Sequence, residues 1–226
     1  LEENFEFSVK QSSDPHHSLT TREEQGKNLL PLYKFPIPGP RKVYIMRHGE
    51  RADFTFGDWC KACFNCSGQY SRADLNLQKD LPTRALGPKA FIRDGPLTRI
   101  GELQASLVGE GFVETATTIH HVFVSPALRC VMTAHNVLKS MNIHDRMPLK
   151  IEPGLFEWLA WYPESVPRFM TNRELIDAGY NIDLSYSPVI TSHRLSTSES
   201  CEQYYIRSHH VTNSILTSTQ SQGELF

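Results

Sequence analysis

The sequence has no long apolar run and almost no net charge, and both shortages exclude classes of protein. Its longest apolar stretches, such as residues 122–124, are far shorter than the roughly 18 residues that suggest a membrane span. Its first residues lack the apolar core of a signal peptide. Because the net charge is −2 over 226 residues, no overall field attracts nucleic acid or a membrane surface. An anionic ligand must therefore be bound by a local cluster of basic residues.

Cysteine is also scarce. The five cysteines are an odd number, which argues against a complete disulfide framework and fits a reducing compartment. We therefore expect a cytoplasmic protein, with the nucleus as a second location. Cys60, Cys63 and Cys66 have the C-x-x-C-x-x-C spacing of some zinc and cluster sites. Since no fourth ligand lies nearby, we interpret them as ordinary loop cysteines and predict neither a metal nor another cofactor.

Composition divides the chain into an arm and a domain. Residues 1–40 are polar and then rich in proline, which predicts a linker or N-terminal arm. Residues 41–226 alternate strand-like and helix-like stretches, which predicts an α/β domain with a mostly parallel sheet. Inside this domain, residues 52–95 show no sustained periodicity and predict a partly ordered insertion. Loops of that length are usually functional, and we expect the part from Phe54 to Gly95 to determine the choice of substrate.

Hydrophobic patterns predict the strands of the domain. The basic and apolar residues 41–46 predict a buried strand that ends at Gly49. The stretches HHVFVSP and LKIEP predict two more strands. The last residues, 224–226, resemble the beginning of another one.

Helical spacing predicts three longer helices. The first should begin at the N-cap Thr98 and carry an apolar face that includes Ile100, Leu103, Leu107 and Val108. The second should begin at the N-cap Ser125, with Pro126 in its first position. The third should cover residues 198–218 and end before Gly223.

Basic residues follow two of the predicted strands. Arg47, His48 and Arg51 follow the first, and Arg129 lies in the first helical turn after HHVFVSP. Ligands of parallel sheets bind beyond the carboxyl ends of the strands, where a helix N-terminus also favours anions. Arginine donates bidentate hydrogen bonds to phosphate and does not titrate at physiological pH. The pattern therefore predicts a phosphate site whose arginines also stabilise a phosphoryl-transfer transition state.

His48 stands between two of these arginines. Their positive charge should lower its pKa and keep one ring nitrogen unprotonated, so that it can attack phosphorus. An isolated R-H-G tripeptide is more often a solvated turn, and the prediction needs support from other motifs.

Three further matches give that support. The segments MRHGER, PLTRIGELQA and SPALRCVMTA occur in this order, and together they resemble the histidine phosphatase superfamily. This resemblance implies a three-layer phosphoglycerate mutase-like fold. The segments RCVMTAHNVLK, IEPGLFEW and ADLNLQKDLPTR are similar to the phosphatase domain of the ubiquitin-associated and SH3 domain-containing family, also called suppressors of T-cell receptor signalling. The resemblance covers residues 41–226.

The resemblance implies roles for single residues. His48 matches the nucleophile, which becomes a phosphohistidine, and the phosphate-binding arginines match Arg47, Arg51 and Arg129. Glu157 matches the general acid, although the residue pattern alone does not separate it from Glu152, five residues upstream. No metal is implied. The activity that the resemblance implies is hydrolysis of phosphotyrosine in proteins. Leaving-group chemistry agrees with it, since a phenol leaves more easily than an alkanol.

The resemblance also implies that the chain is incomplete. The family uses a second histidine in a V-A-H-x-x-S-L-E-like segment, whereas this sequence stops at SQGELF, and neither His209 nor His210 matches that motif. We therefore expect a domain truncated before its second catalytic histidine, with part of its C-terminal fold missing and its activity lost or impaired.

Two other functions stay open. One is a non-catalytic module that binds phosphoproteins or forms a homodimer through the phosphatase domain. The other is hydrolysis of small phosphate esters, including steroid phosphates, which insect relatives of the family suggest.

Overall fold

The structure contains a short parallel sheet. The computed structural model describes residues 42–219, so that the predicted arm, Gly223 and residues 224–226 lie outside the described part. Strands β1 (Val122–Val124) and β2 (Leu149–Ile151) pair in parallel, with Val122 opposite Leu149. Ile182 adds a parallel bridge to Leu149. Both strands were predicted, and the α/β class with parallel pairing is confirmed.

The described part of the chain contains six α-helices. They are α1 (Ala52–Phe56), α2 (Trp59–Cys63), α3 (Arg99–Glu114), α4 (Leu128–Ser140), α5 (Asn172–Asp177) and α6 (Cys201–Ser218). Short 3-10 helices lie at Gly87–Phe91, Pro153–Leu155, Leu159–Trp161 and Ser192–Arg194. Between residues 42 and 219, no helix is both long enough and apolar enough to cross a membrane.

The prediction of a buried strand at residues 41–46 is wrong for the described residues of this segment. Only Val43 has bridge geometry, and Ile45 is 92% exposed. A strand needs a neighbour that pairs with its backbone groups. Neither of the two described strands forms a ladder with this segment. Tyr44 still anchors it to the core through an edge contact with Phe112, with ring centroids 5.0 Å apart.

Helix α3 begins as predicted but turns the opposite face inward. The side chain of its N-cap, Thr98, accepts a hydrogen bond from the Gly101 amide. The buried residues are small: Gly101, Ala105 and Gly109. A Cβ on Gly109 would overlap the carbonyl oxygen of Val137 in α4, so only a small residue allows the two helices to approach this closely.

The large apolar residues of α3 are therefore outside. Ile100, Leu103 and Leu107 are all exposed, and we call these three residues the outer stripe. The predicted apolar face is therefore not the face that α3 turns towards α4, because the close approach of α4 selects residues by size rather than by hydrophobicity.

Helix α4 lacks the predicted N-cap. Its N-cap residue is Ala127, which makes no side-chain cap, and Ser125 lies outside the helix. The Leu128 amide instead donates to Oδ1 of Asp94 at 2.8 Å. Asp94 is fully buried and pairs with Arg84 at 2.9 Å. Burial raises the pKa of Asp94, while Arg84 and the Leu128 amide favour its charged form. A remote carboxylate thus caps the helix that carries Arg129.

The insertion at residues 52–95 is ordered by aromatic packing. It contains α1, α2 and one 3-10 helix. Trp59 is buried and makes ring contacts with Phe64, Tyr70 and Phe91 at centroid distances of 6.1, 6.5 and 6.1 Å. A cluster of rings joined across irregular loops has no regular spacing, which is why periodicity missed it.

Helix α6 begins three residues later than the predicted range. Ser200 forms a capping box with Gln203. The nearly buried Arg207 donates to the carbonyl oxygens of Gly154 and Phe156 at 2.7 and 2.9 Å and pairs with Glu199 at 2.7 Å. This helix therefore holds the loop that leads to Glu157.

Two glycines let the first two sequence motifs cross. A Cβ on Gly101 would overlap the carbonyl oxygen of Glu50, and a Cβ on Gly49 would overlap the carbonyl oxygen of Gly101. Both clashes are with backbone, which moves less easily than a side chain. The crossing fixes the position of residues 47–51 on α3.

We predict that Gly101→Ala lowers the free energy of unfolding by about 1–3 kcal/mol because it overpacks this crossing. Gly111→Ala on the same helix is the matched control, since a Cβ there meets nothing within 4 Å. That control should raise the free energy of unfolding by up to about 1 kcal/mol through helix propensity. Urea unfolding measures both. Equal changes in the free energy of unfolding for the two substitutions would contradict the claim that Gly101 is needed at the crossing.

Candidate active site

The segment that carries His48 is held by the beginning of α3. The Ala52 amide donates to the Pro96 carbonyl at 3.0 Å, and the Thr98 hydroxyl donates to the Glu50 carboxylate at 2.7 Å. The Glu50 amide donates to the side chain of Gln104 at 2.8 Å. The residues of PLTRIGELQA are thus the supports of MRHGER.

Helix α4 supports the same segment from another side. The Gly49 amide donates to the Thr133 hydroxyl at 3.1 Å, and that hydroxyl donates to the Arg129 carbonyl at 2.7 Å. All three predicted motifs therefore meet at Gly49, and His48 and Arg129 are brought to one place.

The contacts of His48 define its tautomer. Nδ1 lies 2.8 Å from the Gly49 carbonyl oxygen, which can only accept a hydrogen bond, so Nδ1 carries the proton and Nε2 has the lone pair. The pKa of His48 is lowered, mainly by burial and further by the charges of Arg129, Arg51 and Arg47, while the bond to Gly49 opposes the shift. The direction was predicted from the arginines, but the larger contribution of burial was not.

The three predicted arginines lie around the same cavity as His48. Arg51 and Arg129 are only 6% and 2% exposed, whereas Arg47 is exposed. Within the described residues, Nε and Nη1 of Arg129 have no hydrogen-bond partner. Burial disfavours the charge of Arg51, but a hydrogen bond and the charge of Asp53 outweigh it and raise the Arg51 pKa. Buried and partly unpaired guanidiniums are ready to bind an oxyanion.

Glu157 lies between these arginines. Its Oε1 accepts from Arg129 Nη2 and from the Tyr162 hydroxyl, each at 2.6 Å, and it lies 4.0 Å from Arg51 Nη1. Asp53 makes a two-point contact with Arg51 at 2.9 and 2.6 Å. The two carboxylates are the counter-ions of the arginine pair.

The structure separates Glu157 from Glu152. The Glu152 side chain is fully buried, and both of its oxygens are used by hydrogen bonds from Gly154 N, Tyr186 OH, Val189 N and Ile190 N, at 2.8, 2.7, 2.6 and 3.1 Å. A carboxylate with this many donors holds a turn together and is not available to a substrate. Glu157, in contrast, faces the cavity.

A cavity of about 920 Å³ is lined by the five predicted site residues. Its other walls are largely apolar and include Ile45, Phe54, Phe123, Leu155, Trp161 and Ile215. The insertion contributes only Phe54 to the described wall. A phosphate bound at the arginines would therefore present its ester group to an apolar wall.

Sequence reasoning missed Tyr162 and Asp53. Asp53 stands two residues after Arg51, where a counter-ion is plausible from proximity. Tyr162 belongs to the aromatic stretch LFEWLAWYP, and nothing in its spacing distinguishes it from the other rings.

The three clustered cysteines do not converge on a common point. Cys63 is buried and Cys66 is exposed. Burial, with the neighbouring Cys63, Asp53 and Asp58, raises the Cys60 pKa to about 11, so this thiol stays protonated at neutral pH. From residue 42 to residue 219, no three His, Cys, Asp or Glu side chains are placed to hold a metal ion.

Known proteins resemble this chain over most of its length. It is 45% identical over 181 residues to the ecdysteroid-phosphate phosphatase of Drosophila melanogaster. The aligned residues cover 79% of this chain and 24% of that protein. It is 42% identical over 199 residues to the ubiquitin-associated and SH3 domain-containing protein B of Homo sapiens, covering 86% and 31%. The chain thus spans between about a quarter and a third of the length of these relatives.

A solved structure and a family model agree with this likeness. The crystal structure of the ecdysone phosphate phosphatase from Bombix mori in complex with tungstate has a TM-score of 0.76 at 39% identity, covering 83% of this chain and 72% of that one. The fold is therefore the three-layer phosphoglycerate mutase-like fold. A model of the histidine phosphatase superfamily (branch 1) matches residues 90–224, more than half of the sequence. The chain belongs to the histidine phosphatase superfamily.

Proposed function

We propose that this chain is a phosphomonoester hydrolase that acts on phosphotyrosine in proteins through a phosphohistidine. One observation carries the proposal: Nε2 of His48, with its lone pair available, lies at the same cavity as the donors of buried Arg129 that have no partner among residues 42–219. A nucleophile beside fixed oxyanion donors is the arrangement that phosphoryl transfer requires.

The reaction has two steps. In the first, Nε2 of His48 attacks phosphorus in line, the bond to the leaving oxygen breaks, and Glu157 transfers a proton to that oxygen. Arg47, Arg51 and Arg129 bind the phosphoryl oxygens throughout. In the second step, water gives a proton to the Glu157 carboxylate and attacks phosphorus, which releases inorganic phosphate and restores His48.

An aryl ester suits both the chemistry and the cavity. A phenol, with a pKa near 10, is a better leaving group than an alkanol and needs less help from an acid. Phe54 and Trp161 are 70% and 72% exposed at the cavity wall, where their faces can pack against an aromatic ring. Action on phosphotyrosine proteins would make the chain a signalling enzyme of the cytoplasm, with the nucleus as a second location.

A steroid phosphate is the second candidate substrate. The volume of about 920 Å³ and the apolar walls accommodate a rigid, bulky alcohol. The names of the Drosophila melanogaster relative and of the Bombix mori structure also refer to such phosphates.

We expect kcat/KM to be higher for a phosphotyrosine peptide than for a steroid phosphate, because the phenol is the better leaving group. The matched phosphoserine peptide should be hydrolysed at least about tenfold more slowly than the phosphotyrosine peptide. Release of inorganic phosphate measures all three. A higher kcat/KM for the steroid phosphate would reverse the assignment.

We predict that His48→Ala abolishes the labelled phosphoenzyme and lowers whatever turnover of 4-nitrophenyl phosphate the chain retains by about a thousandfold or more. His210→Ala, an exposed position in α6, is the control and should retain both. A labelled phosphoenzyme formed by the His48→Ala variant would show that His48 is not the nucleophile. Tight binding of a phosphotyrosine peptide by the unchanged chain, without hydrolysis, would favour the non-catalytic module.

We also propose that the chain forms a homodimer through the outer stripe of α3. Three large apolar side chains exposed on one helix face favour burial against a partner. Arg99 lies at the beginning of this helix, and Glu110 and Glu114 lie near its end. If two copies pair with antiparallel α3 helices, each Arg99 faces the acidic end of the other copy. The stripe therefore has complementary charges for a second copy of the same chain.

Leu103→Ser should shift the chain from dimer to monomer, because it removes the central apolar side chain of the stripe. Leu75→Ser is the control, since Leu75 is also exposed but lies outside the stripe. Sedimentation equilibrium at several concentrations measures the change. If the unchanged chain is monomeric at every concentration measured, this dimer is ruled out.

A further inference from the structure

We propose that Tyr162 is a positioning residue that holds Glu157 in place once a substrate phosphate has taken Arg129 from it. This inference rests on the proposed function, in which Glu157 is the general acid. It concerns a residue to which the sequence motifs give no role.

The carboxylate of Glu157 has two kinds of partner. Arg129 Nη2 and Arg51 Nη1, at 2.6 and 4.0 Å from Oε1, are cations. A phosphoryl dianion binds the same guanidiniums and competes for them. The Tyr162 hydroxyl, at 2.6 Å from the same oxygen, is neutral. Because the Tyr162 hydroxyl carries no charge, it does not compete for the phosphate as the two guanidiniums do, and it stays with Glu157.

The hydroxyl of Tyr162 is held rigidly. The ring is 9% exposed and packs with Ala127, Phe156, Leu159 and Leu195, with its centroid 5.3 Å from that of Phe156. Its amide donates to the Leu159 carbonyl at 2.9 Å and so closes the 3-10 turn. A side chain fixed at both ends can keep a carboxyl group within reach of the leaving oxygen.

The hydroxyl also stays protonated. Burial, followed by the hydrogen bond to Glu157, raises the Tyr162 pKa to about 12. Because Tyr162 occupies Oε1 as a donor, the proton to be transferred resides on Oε2 of Glu157. That proton moves from Oε2 to the leaving oxygen, and the Tyr162 proton does not move.

Tyr162→Phe keeps the ring and removes the hydroxyl. We expect it to slow hydrolysis of phenyl phosphate about tenfold and that of 4-nitrophenyl phosphate less than about twofold, because the second leaving group needs little protonation. Glu157→Gln should show the same pattern more strongly, and the double variant should be no slower than Glu157→Gln. Tyr205→Phe, at an exposed position in α6, is the matched control and should change neither rate.

Equal losses with both esters, or additive losses in the double variant, would show a merely structural role and overturn the proposal. Failure of the proposed function would have a different signature. In that case the turnover seen with the unchanged chain would persist in the His48→Ala variant. A crystal structure of the chain with tungstate tests the inference without turnover. It should show Arg129 on tungstate and Glu157 still on Tyr162, at about 2.6–2.8 Å. Glu157 found away from Tyr162 in that complex would also overturn it.

Discussion

The structure around the cavity depends on the burial of two like charges. The guanidiniums of Arg51 and Arg129 are both almost inaccessible to solvent and open into one cavity. Burying unpaired charges is costly, and removing the partner of a buried ion typically costs about 3–5 kcal/mol. Glu157 contacts Arg129 and approaches Arg51, and Asp53 pairs with Arg51. These two carboxylates make the cluster tolerable when no anion is bound, and Glu157 is therefore both counter-ion and proposed acid.

Each arginine is held in place by contacts that lie far away in sequence. Arg129 sits in the first turn of α4, which Asp94 caps from 34 residues upstream, and Asp94 is held by Arg84. Arg51 follows a backbone crossing that exists because Gly49 and Gly101 lack side chains. The three sequence motifs are thus three sets of mutual contacts. This explains why they contain small and polar residues at fixed positions as well as the reacting groups.

Prediction from sequence succeeded where the information is local. The strands β1 and β2, the Thr98 cap and the helix after Ser200 follow from spacing and capping residues. The failures share a cause, since each depends on a distant partner. The inward face of α3 is chosen by the approach of Val137 to Gly109, and the cap of α4 comes from Asp94. The pattern could bring His48 and the arginines to one place, but it could not separate Glu152 from Glu157, because both follow the same strand and only their donors differ.

The double use of Glu157 couples binding to chemistry. Its carboxylate compensates the charge of Arg129 through a direct hydrogen bond. A phosphoryl dianion supplies more negative charge to the same guanidiniums and competes with the carboxylate for their donors. Substrate binding would then release the Glu157 carboxyl group from its ion pair. A neutral hydrogen-bond donor is the right anchor for such a group, because the phosphoryl dianion competes for cationic donors and an apolar contact offers no hydrogen bond. Tyr162 meets this requirement through a hydroxyl that keeps its proton and a ring that cannot move away.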